Sequence, residues 1–425
     1  METFKLNNTV FSDNGTKISY QYSVSNKIKK FFNLDNQYYV KYDKDISNTP
    51  LSLAVIPLLA NIMPIAWFVG FDVHVDEIDT TFFDSLQELK RQFIKFHPDK
   101  DIKGELHVLN KVNNTFPNNN SSLLFSGGLD SFESLTRNLN KKPYLISIHG
   151  ADVAIDDTVR WETFKNLNEQ EKILDKSKLL YLESNLRDFY TYQVELLVNL
   201  GWWGTVQHGM ALLGVLAPLS YKYSIKDINI ASSATNEVTY TWGSTPNIDE
   251  NMKWANTTVT HDGYQFRRTD KIDNVVDFVE KTGDKINLRV CYSELRDGAN
   301  CNRCAKCQRT MFGLILSGAN PKDYSFEVPN NLYDLIFENF GNESVMTKGL
   351  KYQWQCLQDK ASQINSFFVI NDEESERKAI EKFIQLNLDE IVNKNEKKVK
   401  KEKKLKFILR NKLPFLYNIY RKIRY

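Results

Sequence analysis

The sequence predicts an α/β protein organised around a mostly parallel sheet, and three observations carry that prediction. From Leu123 onward, short apolar runs alternate with longer amphipathic segments, the pattern of repeated strand–helix units whose helices cover both faces of one sheet. The first run, Leu123 to Phe125, stops at Ser126-Gly127-Gly128-Leu129-Asp130-Ser131, which reads as a tight turn opening a helix. Four of the five cysteines, Cys291, Cys301, Cys304 and Cys307, fall within 17 positions. That clustering in a long chain points to metal ligation and not to a disulfide framework.

The 425 residues leave room for about two or three domains. Residues 1–118 read as an N-terminal α/β domain. Within it, 16–25 and 37–42 alternate like strands and are rich in Tyr and Val. Residues 51–70 are uncharged and of membrane-spanning length. Pro57, Asn61 and Pro64 interrupt them, so they read as a buried helix from about Leu51 that breaks near Pro64, followed by a strand over 66–75. Phe82, Leu86, Leu89, Phe93 and Ile94 predict an amphipathic helix over 81–96. Residues 113–122 are a polar, Asn-rich linker, and the domain boundary is placed there.

The second domain, 119–325, carries the chemistry. Strands are predicted over 123–125, 144–149, 179–182 and 227–231, and helices over 131–138, 159–174, 186–200 and 208–219. Ligands of such sheets bind at the carboxyl ends of strands, which singles out the loops 126–131, 149–152 and 232–236. Residues 326–393 read as a helical extension. Residues 394–425 form a basic amphipathic tail with 13 Lys and Arg against 2 acids, a net +11 that leaves −9 on the rest of the chain. The tail suits a solvated run, an anionic membrane surface or nucleic acid. The N-terminus has no apolar leader, so a cytoplasmic location is expected, with peripheral membrane contact open through the tail.

The glycine turn suits phosphate. Two glycines permit positive φ and let backbone N–H groups face one point. Ser126 and Ser131 add hydroxyls, and the following helix adds its free N–H groups and positive dipole end. Asp130 beside an anion site makes sense as a Mg²⁺ ligand. No Lys follows the glycines, which excludes the Walker pattern. In the cysteine cluster, the x2 spacings let one turn present three thiolates. Four thiolates close the shell of a structural Zn²⁺. Iron–sulfur clusters also use four cysteines, but no further cysteine or redox motif accompanies this set.

The turn resembles the Ser-Gly-Gly-x-Asp-Ser signature of the PP-loop ATP pyrophosphatases. With the C-x9-C-x2-C-x2-C spacing and Arg309 after it, residues 122–320 resemble the 7-cyano-7-deazaguanine synthase family, as a divergent member. Arg268-Thr269-Asp270-Lys271-Ile272 is similar to that family's Lys-x-x-Ile segment. Gln207-His208-Gly209 sits where the family has an Arg-Asn pair, and 244–249 lies near its Tyr-Pro-Asp-Cys element. Phe132 departs from the small hydroxyl residue usual in relatives.

The resemblance implies a three-layer sheet of the adenine-nucleotide alpha hydrolase (HUP) type with a zinc knot. It implies an ATP-dependent ligase or amidotransferase-like enzyme that adenylates a substrate oxygen, releases pyrophosphate and admits a nitrogen nucleophile. Ser126, Gly127, Gly128, Leu129, Asp130, Ser131 and His149 would then bind the nucleotide. Asp130, Lys271 and Arg309 would be catalytic, and His208 and Asp249 would contact substrate. His149 equally suits a packed core position, and Cys356 reads as a buried free thiol. The expected substrate is a small molecule or a modified base. A sugar or tRNA-base acceptor, and a non-catalytic nucleotide-binding module of regulation or defence, are the alternatives. A homodimer is left open.

Overall fold

The computed structural model describes residues 2–117, 119–199, 201–238, 241–291, 299–341 and 348–391. Among them, ten strands form one sheet: β1 (Thr3–Ser12), β2 (Lys17–Val24), β3 (Tyr39–Tyr42), β4 (Asp72–Asp79), β5 (Leu106–Val112), β6 (Asn120–Leu124), β7 (Tyr144–His149), β8 (Lys178–Ser184), β9 (Ile225–Ala231) and β10 (Thr258–Asp262). Their order is β10-β9-β6-β7-β8-β3-β2-β1-β4-β5. Pairing is parallel from β10 through β8, antiparallel through β3, β2 and β1, and parallel again to β4 and β5.

Burial explains why the strands read differently in sequence. All six residues of β7 are buried, as expected of a parallel strand covered on both faces. β2 alternates buried and exposed positions, the habit of an antiparallel strand with one wet face. From β6 the chain steps out through β7 and β8, then crosses back to lay β9 on the other side of β6. The order of strands reverses there, and a crevice opens at their carboxyl ends.

The apolar stretch after Pro50 differs from its sequence reading. After a short turn over Leu51–Ala54, one helix runs Ile56–Val69 straight through Pro64, with every residue from Ile56 to Trp67 buried. Complete burial outweighs the local loss of about 3 kcal/mol that an internal proline imposes. The stop comes instead at Gly70, whose φ of +86° is the left-handed helix cap, so the strand begins at Asp72 and not near Ala66. No helix among the described residues is long and apolar enough to cross a membrane.

This helix joins the N-terminal strands to the later βα units. Asn61 donates to the Tyr38 hydroxyl and Pro57 O, and accepts from Gln207. Gly214 lies against Ala60, where an added Cβ would overlap the alanine methyl. Residues 1–118 and much of 119–325 therefore share one sheet and one apolar core. The helix expected over 186–200 is a single turn, Tyr192–Glu195. The preceding residues pair with the N-terminal segment instead: Asn33 and Thr191 N–H groups bond to Phe189 O and Phe31 O. Phe189 and Tyr190 are buried there, so tertiary packing overrides helix periodicity.

Three helices, Leu332–Gly341, Lys348–Gln363 and Glu373–Ile384, cover a second apolar cluster beneath the glycine turn. Phe132 belongs to that cluster, edge-on to Phe125 at 5.0 Å, which accounts for an aromatic at that position. The basic tail over 394–425 lies outside the described residues. Gly214→Ala should overpack the helix crossing and destabilise the protein by about 1–3 kcal/mol. A lower urea midpoint with an unchanged slope would report it.

Candidate functional site

The glycine turn follows β6 by one residue. Gly127 has φ +69°, the left-handed region, and Gly128 is extended and caps the helix Leu129–Asn138. Ser131 Oγ donates to Gly128 O at 3.0 Å, and Ser126 Oγ lies 3.4 Å from both Ser131 Oγ and Gly128 N. The first N–H groups of this helix have no partner within it and face the turn. Arg289 clamps the outside. Its N–H donates to Gly127 O at 2.7 Å, its guanidinium to Ser126 O at 2.5 Å, and its plane stacks on Phe164 at 3.7 Å. Sequence reading missed Arg289 because no motif marks it.

Asp130 sits in the first turn of the helix. Lys271 Nζ lies 3.6 Å from Oδ1 and Arg268 Nη1 3.5 Å from Oδ2. Burial alone would raise this carboxyl, but Lys271, Arg268 and Lys306 together hold it below the usual carboxylate range. Lys271 is 2% exposed, and its ammonium also donates to Ser232 O. Arg268 reaches Thr310 Oγ1 at 3.1 Å. Burial, then repulsion from Arg268, lowers Lys306 to about 8.

Three spaces share Asp130. The largest, about 180 Å³, is lined by apolar side chains that include Ile146, Ile148, Trp161, Phe164, Leu212 and Trp242, and by the polar Ser126, Ser131, Asp152 and Arg289. A smaller recess brings Gly128, Asp130, Asp152, Arg289 and Lys306 together. The third, about 20 Å³, lies between Lys271, Arg268, Thr235, Tyr352 and Cys356. The helix Lys348–Gln363 closes it, anchored where Tyr352 donates to Glu237.

The other candidates from sequence fall in different places. His208 lines the large space beside Trp203 and Trp242, and burial lowers its pKa. It follows a turn of π-helix, Trp203–Gln207, a feature that recurs at functional sites. His149 stands behind that space. It stacks on Trp161 at 4.9 Å and its Nε2 donates to Ala154 O at 3.0 Å, the packed alternative weighed for it. Arg309 is buried 5.9 Å from the Trp354 ring, and burial lowers it to about 9. It is not among the residues lining the three spaces. Asp249 is fully buried, bonded to Ser244 Oγ and His261 Nδ1 at 2.6 Å each. Sequence reading did not pair it with His261, which lies on β10.

The four clustered cysteines meet in space, all Sγ atoms lying within 4.8 Å of one another. Cys291–Cys304, Cys301–Cys307 and Cys304–Cys307 are 3.8, 4.0 and 3.5 Å apart. A tetrahedron with Zn–S of about 2.3 Å has edges of about 3.8 Å, so the set fits zinc. Asn302 takes the left-handed conformation, φ +58°, and Cys304 N donates to Cys301 Sγ at 3.3 Å. Cys304 is also the residue that precedes the helix Ala305–Leu316 at its N-terminus. No family model matches the chain, and neither curated proteins nor solved structures yield a significant match.

Freshly purified protein should carry about one equivalent of zinc, and Cys304→Ser should lose it together with several degrees of thermal stability. Elemental analysis beside a melting curve checks both. Because the folded Asp130 carboxyl is held low, its contribution is present above the unfolded pKa and is lost as pH falls through the folded one. Asp130→Asn should therefore cost roughly 1–3 kcal/mol at pH 7. That gap should narrow below about pH 4 in paired urea titrations.

Proposed function

We propose that the chain binds a nucleoside triphosphate and is an ATP-dependent enzyme that forms AMP and pyrophosphate. One observation carries the reading. Of the charged side chains among the described residues that line the three spaces, four are cationic (Arg268, Lys271, Arg289 and Lys306) and two are anionic (Asp130 and Asp152). The surplus positive charge surrounds a glycine turn at a helix N-terminus, an arrangement that favours a bound polyanion. An apolar, aromatic space opens from the same turn and suits a base and sugar.

The residues fit a magnesium complex. Asp130 accepts one long bond from Arg268 at 3.5 Å and has Lys271 at 3.6 Å, which leaves acceptor sites on the carboxylate for a hard cation, and Asp152 lines the same recess. When bound, Mg²⁺ supplies charge neutralisation of the phosphates. The turn, Ser126 and Ser131 grip the β- and γ-phosphates. Arg289 holds the turn rigid. Lys271 and Arg268 stand where charge grows as the α–β bond breaks. A substrate oxygen attacks the α-phosphorus, pyrophosphate leaves, and a nitrogen nucleophile then displaces AMP. The resemblance to the PP-loop enzymes, with the zinc-compatible cluster downstream, supports this order of steps. The acceptor is a small molecule or a modified base.

Equilibrium binding tests the nucleotide part without knowledge of the acceptor. Mg²⁺-ATP and pyrophosphate should both bind and should compete, and Lys271→Ala should weaken pyrophosphate on the order of tenfold. Absence of binding by either ligand sinks the proposal. With labelled ATP and an acceptor pool, the products should be AMP and pyrophosphate. ADP and phosphate would overturn the chemistry, and tight binding without turnover would favour a regulatory nucleotide-binding module.

A further inference from the structure

Behind the glycine turn lies a buried chain of polar groups with the order carboxylate, imidazole, hydroxyl. Asp249 Oδ2 lies 2.6 Å from His261 Nδ1, and His261 Nε2 lies 2.8 Å from Ser232 Oγ. Asp249 is 0%, His261 5% and Ser232 0% exposed. The three come from separate places: Ser232 directly follows β9, His261 is on β10 and Asp249 ends a short helix, Pro246–Asp249. Ser232 is not an accessible nucleophile. Its Oγ is enclosed and also contacts Ala234 O at 2.9 Å and Ala234 N at 3.2 Å.

The chain leads instead to the site. Ser232 N donates to Asp262 O, and Ser232 O accepts from the Lys271 ammonium, which stands 3.6 Å from Asp130. Asp249 in turn is set by Ser244, while its Oδ1 has no hydrogen-bond partner and abuts Gly209. Buried ionic groups contribute little net stability compared with apolar side chains of similar volume. A polar chain with directional bonds at 2.6 and 2.8 Å has a different property, since those bonds favour one geometry.

We infer that Asp249, His261 and Ser232 form a positioning relay that fixes the loop after β9, so that the Ser232 carbonyl holds the Lys271 ammonium beside Asp130. The inference deepens the proposed function and rests on it for the role of Lys271 in the reaction. The relay itself is a statement about where Lys271 is held.

Brief acetylation of the full chain with acetic anhydride, read at Lys271 by mass spectrometry, tests the relay directly. Lys281, 76% exposed at its side chain, is the internal reference. Lys271 should be protected in the native protein. Asp249→Asn and His261→Ala should raise its labelling about five- to tenfold, the factor that one lost hydrogen bond is worth. His261→Gln, whose terminal amide can reach Ser232 Oγ, should restore much of the protection. If His261→Ala does not fold, Ser232→Ala decides, because it removes the hydroxyl and keeps the carbonyl. Unchanged labelling of Lys271 in a folded variant overturns the relay.

A second readout uses turnover. The same variants should lose on the order of 10²-fold in kcat, while Mg²⁺-ATP binding weakens by no more than the roughly tenfold expected for loss of Lys271 itself. A parallel fall of binding and rate would mark a structural role only and would overturn the positioning role. If labelling responds but ATP neither binds nor reacts, the relay stands and the proposed function fails. If ATP binds and is converted to AMP and pyrophosphate but labelling stays flat, the reverse holds.

Discussion

The contact between Lys271 and Asp130 is where three separate parts of the chain meet. Asp130 comes from the turn after β6, Lys271 from the helix Arg268–Thr282, and the carbonyl that holds Lys271 from the loop after β9. Each of those parts has a poor position alone. A buried ammonium without a carboxylate is expensive, and a carboxylate at a crowd of cations needs its charge. β6 and β9 must therefore be neighbours, and the strand order makes them so. The reversal of strand order at this point also opens the crevice in which the charges sit.

The cysteine cluster takes part in the same arrangement. Cys291 lies two residues beyond Arg289, which clamps Gly127 and Ser126. Cys304 begins the helix that carries Lys306 and Thr310, and Thr310 receives Arg268. A metal held by the four thiolates would tie the segment that carries Arg289 to the helix that carries Lys306 at one fixed point. Its contribution would be less to bury surface than to keep four cationic side chains together against their mutual repulsion.

The N-terminal strands serve the site from a distance. β3 pairs with β8 and extends the parallel strands into a wider sheet, while the helix Ile56–Val69 packs under the helix His208–Gly214 that presents His208 to the large space. The buried Tyr38–Asn61–Gln207 chain links the two across the core. Asn61, a polar residue that in sequence reads as an interruption of an apolar stretch, adds a buried hydrogen-bonded link to the β3–β8 pairing between the two halves of the sheet.

The sequence by itself determined the local features. Strand β7 and the helix Thr80–Phe96 were legible because period and composition agree over their length. The glycine turn was legible because adjacent glycines favour a tight turn with positive φ, and the cysteine cluster because its ligands are close in sequence. Only the tertiary structure decided the rest. The helix through Pro64, the extended pairing at Phe189 and Tyr190, and the meeting of Ser232, His261 and Asp249 all depend on partners far away in the chain. Local propensity is worth a few kcal/mol at most. Where burial and long-range hydrogen bonds exceed it, position in the fold and not the neighbouring residues sets the outcome.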